Sequence, residues 1–492
     1  MRAFASSFGA WKSIEEQEGT ITQHGLTFPL AVVEAIGRPH GLEITPEESG
    51  ADANSFDAIF IGVLDSRCMI SAKKHFDSWR VPFRRAHRPI GKFPLVWAGG
   101  QGLRNPLPLS DVFDLCVVGD AEDPLPILLR LQSIHGNTSA FLSEAANVPG
   151  VFVPSVHDRN KDRISLSVSS DIGITLRNDI RVSNDGSRRI EIARGCKSKC
   201  LFCSLGWNVK HRENSTESII EQISSGPKRI HLQAGDAEAH SGITAIRETL
   251  STGGGIDLGW TGRYDSILDN PDQIIPGHKR YAFGVEGTSY RIRAAIGKSF
   301  LTDDYLVDGT AKLFKSVDGD GKGRLAWHLI AGLPTSGISD GRKMVDVIRR
   351  INNSVRGTAR NLSIHWQPFQ PLPGTPMQWC ATGTGARTES VVLRSIERLP
   401  WCRVRQVYGR SDEMALLCSV LARSDERGAL LLERMADGYV SADTAESITG
   451  AQYREIDVHS QLPWDFIDAP LSRSLRKAYD VFLDRIRNVH DL

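Results

Sequence analysis

The sequence predicts a three-part α/β protein: a doubly wound parallel sheet, then a partial (βα)6 barrel, then a helical carboxyl-terminal extension. Three observations predict it. Short apolar runs ending in Gly alternate with helical periods up to about residue 154, six longer strand–helix units follow between 188 and 387, and residues 388–492 carry mostly helical periodicity. The 492 residues are enough for two to four domains. Hydrophobic residues at 40 % and charged residues at 24 % describe a globular chain, neither disordered nor collagen-like. A formal charge of +1 removes bulk charge as a reason to bind nucleic acid. No run reaches the roughly 18 apolar residues of a membrane span. Met1 to Trp11 holds no apolar signal core, so the expectation is a cytoplasmic protein without a membrane partner. In a reducing compartment the eight Cys are expected as ligands or buried thiols rather than disulfides.

In the first part, residues 1–154, Phe28 to Ile36 and Pro124 to Ile134 have helical character and Met69 to Arg85 is amphipathic. Asp57 to Val63, Phe93 to Trp97 and Leu115 to Val118 are the strand candidates, the last two running into Gly99-Gly100 and Gly119-Asp120. Strand ends of this kind frame a ligand crevice in doubly wound sheets. Residues 155–187 are polar and rich in Ser, Asp, Asn and Arg, and read as a connector. In the second part, 188–387, strands are expected at Ile190 to Ala193, Arg229 to Gln233, Ile256 to Thr261, Arg280 to Val285, Ala326 to Ile330 and Leu362 to Trp366, with helices between. Six units suit a partial barrel, with chemistry at the carboxyl ends of its strands. In the third part, 388–492, helices are expected at Leu416 to Leu421, Gly428 to Met435 and Leu471 to Ile486.

The segment EIARGCKSKCLFCS places Cys196, Cys200 and Cys203 in C-x3-C-x2-C spacing directly after the first barrel strand. With eight Cys in the chain, chance gives such spacing only about 0.002 times. Three thiolates on one loop can hold three irons of a 4Fe–4S cluster and leave the fourth open to a small molecule. A structural zinc site would need a fourth ligand, for which the nearby candidate is His211. The polar Lys197, Ser198 and Lys199 between the cysteines argue against three core thiols. Cys68 and Cys116 read as core thiols, and Cys380, Cys402 and Cys418 are too scattered for a second cluster.

The cysteine motif, with Phe202 before its last Cys, resembles the signature of the radical S-adenosylmethionine (SAM) superfamily. The prefix Ala193-Arg194-Gly195-Cys196 is similar to the form used by the branch with an amino-terminal cobalamin-binding-type, flavodoxin-like domain. Val285-Glu286-Gly287-Thr288, running on to Arg293 and Lys298, resembles a motif of that branch, as do Gly332-Leu333-Pro334-Thr335, Phe369 to Trp379, and Leu462-Pro463-Trp464-Asp465.

The resemblance implies an enzyme in which Cys196, Cys200 and Cys203 ligate the cluster. SAM would be cleaved there to methionine and a 5'-deoxyadenosyl radical that abstracts hydrogen from substrate. Phe202 would cover the cluster. Gly235 and Asp236, in a segment where Ala234 and Asp236 replace the family's Gly and Glu, would hold the methionine ammonium. Glu286 would take the ribose diol, Arg293 the methionine carboxylate, and Gly332 a close backbone approach. The plain alternative for Glu286 and Arg293 is a salt bridge at the barrel rim. Arg263 and Asp265 are the first candidates for catalytic groups on the substrate side, followed by His231, Tyr264, His328, His365 and Gln367. Gly99-Gly100 and Gly119-Asp120-Ala121-Glu122 resemble landmarks of cobalamin-type domains. The ligand motif D-x-H-x-x-G is absent, however, since none of the 14 His has Gly three residues later. Cobalamin is therefore disfavoured, and the domain is expected to shape a substrate entrance or a protein contact. A flavodoxin or ferredoxin is the expected reductant, and the substrate a small molecule or a nucleobase. The nucleobase is motivated by arginines of the carboxyl-terminal part interleaved with Trp379, Trp401 and Trp464. The alternatives are a cobalamin-dependent methylase or isomerase of a metabolite, and a non-catalytic Fe–S interaction module.

Overall fold

Parallel strands need crossovers of a dozen residues or more, and the amino-terminal part supplies them as helices on both faces of one sheet. The computed structural model describes residues 1–8, 26–170, 172, 188–225, 229–253, 256–257, 261–265, 280–317, 324–355, 361–383, 391–406, 411–469 and 471–488. Strands β1 (Arg2–Ser6), β2 (Glu43–Pro46), β3 (Ala58–Gly62), β4 (Leu95–Gly99), β5 (Leu115–Val117) and β6 (Val151–Phe152) lie in the order β2-β1-β3-β4-β5-β6. All pairs are parallel except β5–β6. The order reverses between β1 and β3, the kind of switch point at which doubly wound sheets hold ligands. Three of these strands, β1, β2 and β6, are additional to the three expected.

Alternation along the strands divides the core. Ala3, Ala5, Phe60 and Trp97 face helices Phe28–Gly37, Pro124–His135 and Ser139–Ala145. Phe4, Ile59, Ile61 and Val96 face the other way, onto helices Ser66–Ile70 and Ala72–Ser78 and, from the far end of the chain, Asp412–Arg423 and Gly428–Asp437. The carboxyl-terminal helices are thus one wall of the amino-terminal core rather than a separate extension. A further tie is β7 (Ile164–Ser165), in the expected connector, which pairs with a strand near the end of the chain.

The barrel begins with β8 (Arg188–Glu191). A small antiparallel pair, β9 (Ala193–Arg194) and β10 (Arg212–Glu213), frames the cysteine loop. Parallel strands β11 (Arg229–Gln233), β12 (Ile256–Asp257), β13 (Thr261–Gly262), β14 (Arg280–Glu286), β15 (Arg324–Ala331), β16 (Asn361–Pro368) and β17 (Cys402–Gln406) follow. The chain closes with β18 (Ile467–Asp468), the partner of β7, and helix Leu475–Asn488. The strand expected at Ile256 to Thr261 is seen as β12 and β13, residues 258–260 lying outside the described ones.

The domain boundary expected at residue 387 is corrected by β17, which pairs with β16. In Cys402-Arg403-Val404-Arg405-Gln406 only Cys402 and Val404 are apolar, and both are buried. So short an alternating run gives little sequence signal beside the helical periods around it. Burial alternation on β8, β11 and β14 to β16 turns Ile190, Leu232, Phe283, Trp327 and Ile364 to the helical layer, and Glu191, Gln233, Glu286, His328 and His365 to the barrel interior. Among the described residues no helix is long and apolar enough to cross a membrane.

Candidate active site

The cysteine loop leaves β9 through Gly195, whose φ of +75° a side chain would strain, and whose Cβ would meet the carbonyls of Val209 and Lys210 at 2.8 Å. The loop is fastened at several points. The Leu201 amide donates to the Ile296 carbonyl (3.1 Å), Trp207 Nε1 donates to the Cys200 carbonyl (3.1 Å), and Arg263 Nη1 donates to Ser198 Oγ (2.8 Å). Two glycines let neighbours touch it: a Cβ on Gly206 would lie 2.4 Å from the Ser198 carbonyl, and one on Gly235 would lie 3.4 Å from Cys196 Cβ.

Burial pushes the Cys200 thiol up, opposed by the Lys298 and Arg263 cations, and pushes the Cys203 thiol up to about 11. Those two cations favour the thiolate that iron requires. Among the described residues no three His, Cys, Asp or Glu converge on one ion. A cubane takes one thiolate per iron and needs no such convergence. His211, the fourth-ligand candidate for zinc, is paired through Nε2 with Glu213 Oε1 at 3.2 Å.

At the end of β11, Asp236 is 6 % exposed, and its Oδ1 has no hydrogen-bond partner among the described residues. Burial raises its carboxyl above the usual range. A buried acceptor without a donor, one residue from the glycine that touches the cysteine loop, suits a ligand ammonium. Glu286 ends β14 in a bulge at φ +65°, with Oε1 3.3 Å from Lys298 Nζ, which also donates to the Gly284 carbonyl (2.5 Å). Lys298 thus pairs with the Glu286 carboxylate and acts electrostatically on the Cys200 thiol.

Arg293 requires a correction. Its side chain is fully buried, Nε donating to the Leu301 carbonyl (2.7 Å), Nη1 to the Gly287 carbonyl (3.1 Å) and Nη2 to Asp303. It fixes the helix that follows β14 and presents no fork to a ligand carboxylate. Tyr264 is corrected as well: it is buried in the barrel wall, bonded to Thr310 and packed on Phe283. Arg263 and Asp265 form a two-point pair (3.1 and 3.0 Å), and the guanidinium lies 4.2 Å from the Phe300 ring centroid while reaching Ser198. They brace the cysteine loop. His231, His328, His365 and Gln367 lie on the interior face, with the His328 and His365 rings 5.4 Å apart. Gly332 follows β15 at φ +72°. Phe202 is half-buried beside the core that holds Trp379 and Trp464.

The nucleic-acid surface is also corrected. Trp379, Trp401 and Trp464 are core residues at 3, 8 and 2 % exposure, unavailable to stack on bases. Arg423 donates to the carbonyls of Gln378, Cys380, Gln452 and Arg454.

Sequence reasoning missed the junction of the two sheets. A cleft of about 510 Å³, bounded among the described residues by both, opens at the carboxyl ends of β3, β4 and β5. Its depth is apolar (Leu30, Val33, Phe60, Trp97, Leu125), its rim is glycine (Gly62, Gly99, Gly100, Gly119), and its far wall is Arg189, Glu191, Arg194 and Gln233 of the barrel. Gly100 and Gly119 have φ of +116° and +107°, and a Cβ on either would lie 2.2 Å from a carbonyl, of Val63 and Ser167 respectively. His24, in the crossover after β1, lies outside the described residues. The acids Asp120 and Glu122 beside Gly119 were the available signal for this junction.

Residues 11–154 match the family model described as radical SAM proteins, N-terminal. No curated protein matches the chain in sequence. The fold is similar to that of the radical SAM methyltransferase TsrM from Kitasatospora setae, solved with cobalamin and a [4Fe–4S] cluster. The identity is 13 %, with 77 % of this chain and 74 % of that one covered, at a TM-score of 0.51. The cobalamin-dependent radical SAM enzyme OxsB aligns over 70 % of this chain and 51 % of its own, at 12 % identity and a TM-score of 0.45. Residues 11–154 therefore form a domain of the radical SAM N-terminal family, followed by a barrel whose fold, with the three-cysteine loop at the end of its first strand, is similar to that of a radical SAM methyltransferase.

Proposed function

We propose that Cys196, Cys200 and Cys203 hold a 4Fe–4S cluster and that SAM binds beside it, to be cleaved reductively for hydrogen abstraction from a substrate. One observation carries the reading: a buried oxygen of Asp236, without a partner among the described residues, follows the glycine that packs against the cysteine loop. The cluster, when bound, supplies one electron to the sulfonium. The rest is positioning by this chain. Asp236 accepts the methionine ammonium, and Glu286, held by Lys298, faces the ribose. Arg263 keeps the loop in place through Ser198. The interior histidines line the side from which substrate approaches.

The test is anaerobic. Reconstituted protein with SAM and dithionite should release 5'-deoxyadenosine, read by mass spectrometry, and Cys200→Ala should not. A protein that loads its cluster and neither binds nor cleaves SAM would leave a scaffold and support the interaction-module reading instead.

A second reading, favoured by the cleft, is that the amino-terminal domain binds a corrinoid and is not degenerate. The glycine rim and apolar slot suit a corrin ring with a pendant aromatic base, held by packing and hydrogen bonds. A similar fold has been solved with cobalamin. With a corrinoid there, methyl transfer to a small substrate becomes the leading chemistry. The nucleobase hypothesis has lost the stacking surface that motivated it.

A further inference from the structure

We infer that Arg194 is a positioning residue through which a ligand in the interdomain cleft and the cluster order the same loop. The inference rests on the cluster and corrinoid readings above. Arg194 stands two residues before Cys196, and its guanidinium meets carboxylates from both sheets. On the barrel side, Nε and Nη2 bond Glu191 at 2.8 and 2.7 Å. On the other side, Nη1 bonds Asp120 at 3.0 Å and Nη2 lies 2.7 Å from Glu122. Burial alone would weaken the cation, but the bonds and charges of Glu191 and Glu122 hold it firmly protonated.

The junction is doubled by Arg212 of β10. Its Nη1 bonds Asp120 at 2.5 Å and also the Ser169 carbonyl. Asp120 in turn accepts the Ser169 amide at 3.0 Å. Five charged groups, two cations and three anions, therefore sit mostly buried between the glycine rim and the cysteine loop. Removing one partner from such a set leaves an uncompensated charge, so the set holds or opens as a unit.

Gly119, Asp120 and Glu122 line the cleft, as does Arg194. A ligand that seats against the Gly119–Glu122 turn fixes Asp120 and Glu122, which fix Arg194 and with it the entry to Cys196. A cluster that orders the cysteine loop fixes Arg194 from the other side. Because binding free energies are linked reciprocally, each ligand should tighten the other by the same factor.

The experiment titrates the full chain with hydroxocobalamin, followed by absorbance under anaerobic conditions, in apo and cluster-reconstituted forms. The expected result is a Kd at least about five-fold lower in the reconstituted form. In Asp120→Asn/Glu122→Gln and in Arg194→Lys, the ratio of the two Kd values should fall to near one with iron and sulfide content unchanged. A merely structural role would weaken both forms alike and leave the ratio intact, which overturns the inference. A ratio of one in the unmodified protein overturns it as well. Failure of hydroxocobalamin to bind either form overturns the corrinoid reading, and the inference with it. Should Arg194→Lys not fold, the isosteric double variant decides alone.

Discussion

Two ends of parallel sheet face one another in this protein, and they are made of different materials. The end of the amino-terminal sheet is glycine backbone over an apolar slot, with charge confined to the Asp120 and Glu122 corner. The end of the barrel is thiols, carboxylates and cations: Cys196, Cys200, Cys203, Asp236, Glu286, Arg263 and Lys298. The same topological rule puts a crevice at both. The side chains then decide what each crevice can hold. One selects by shape and suits a large, mostly uncharged ring. The other selects by charge and suits iron and a small zwitterion.

The largest expected effect separates the two ends outright. Cys200→Ala should reduce cluster loading and 5'-deoxyadenosine release to background, while hydroxocobalamin still binds, weakened only by the loss of coupling. Next comes Asp236→Asn, expected to weaken SAM binding by about ten- to a hundred-fold in equilibrium dialysis, with iron content unchanged. Burial holds the Asp236 carboxyl above its usual range, so its ionised form costs stability that grows as pH rises past that range. The neutral variant should therefore unfold no earlier than the parent at pH 8. Third, Gly119→Ala should cost roughly 1–3 kcal/mol in urea unfolding, from a strained φ and the Ser167 carbonyl 2.2 Å from the new methyl. It should impair the cleft and spare the cluster. The smallest effect concerns the thiols behind the two ends. Burial pushes Cys68, Cys380, Cys402 and Cys418 up from 9.0 to about 12. The folded chain keeps these protons above pH 9 while the unfolded chain loses them, so stability falls as pH rises. The loss should be about 1 kcal/mol per thiol by pH 10, and each Cys→Ala variant should flatten the slope of melting temperature against pH.

The place of the cysteine loop after the first barrel strand was legible because its signal is local: three thiols within eight residues need no tertiary knowledge. The sheet-and-barrel plan was legible because strands ending in Gly and helical crossovers recur along the chain. β1 and β2 escaped, β1 because Ala3 and Ala5 are small and the run sits at the chain's start, and β17 because it alternates Arg with two apolar residues. Arg293 shows the limit of motif spacing, which gives a residue's place along a helix and says nothing about which acceptors close around it. The Arg194 junction was missed for the opposite reason. Glu191 is three residues away, but Asp120 and Glu122 across the junction lie more than 70 residues away, and only the meeting of the two sheets pairs them with Arg194.

The packing of the last helices on the first sheet sets an order of events during synthesis. Phe4, Ile59, Ile61 and Val96 are covered in part by Leu417, Val420, Leu431 and Leu432. The 260 residues from Phe152 to Asp412 stand between the sheet's last strand and its missing wall. At a ribosomal pace of about 5–20 residues per second, that apolar face waits on the order of 13–52 s for its cover. A nascent chain in that interval is a client for chaperones, and a message cut short after β17 would leave a complete barrel joined to a sheet with one face open to water.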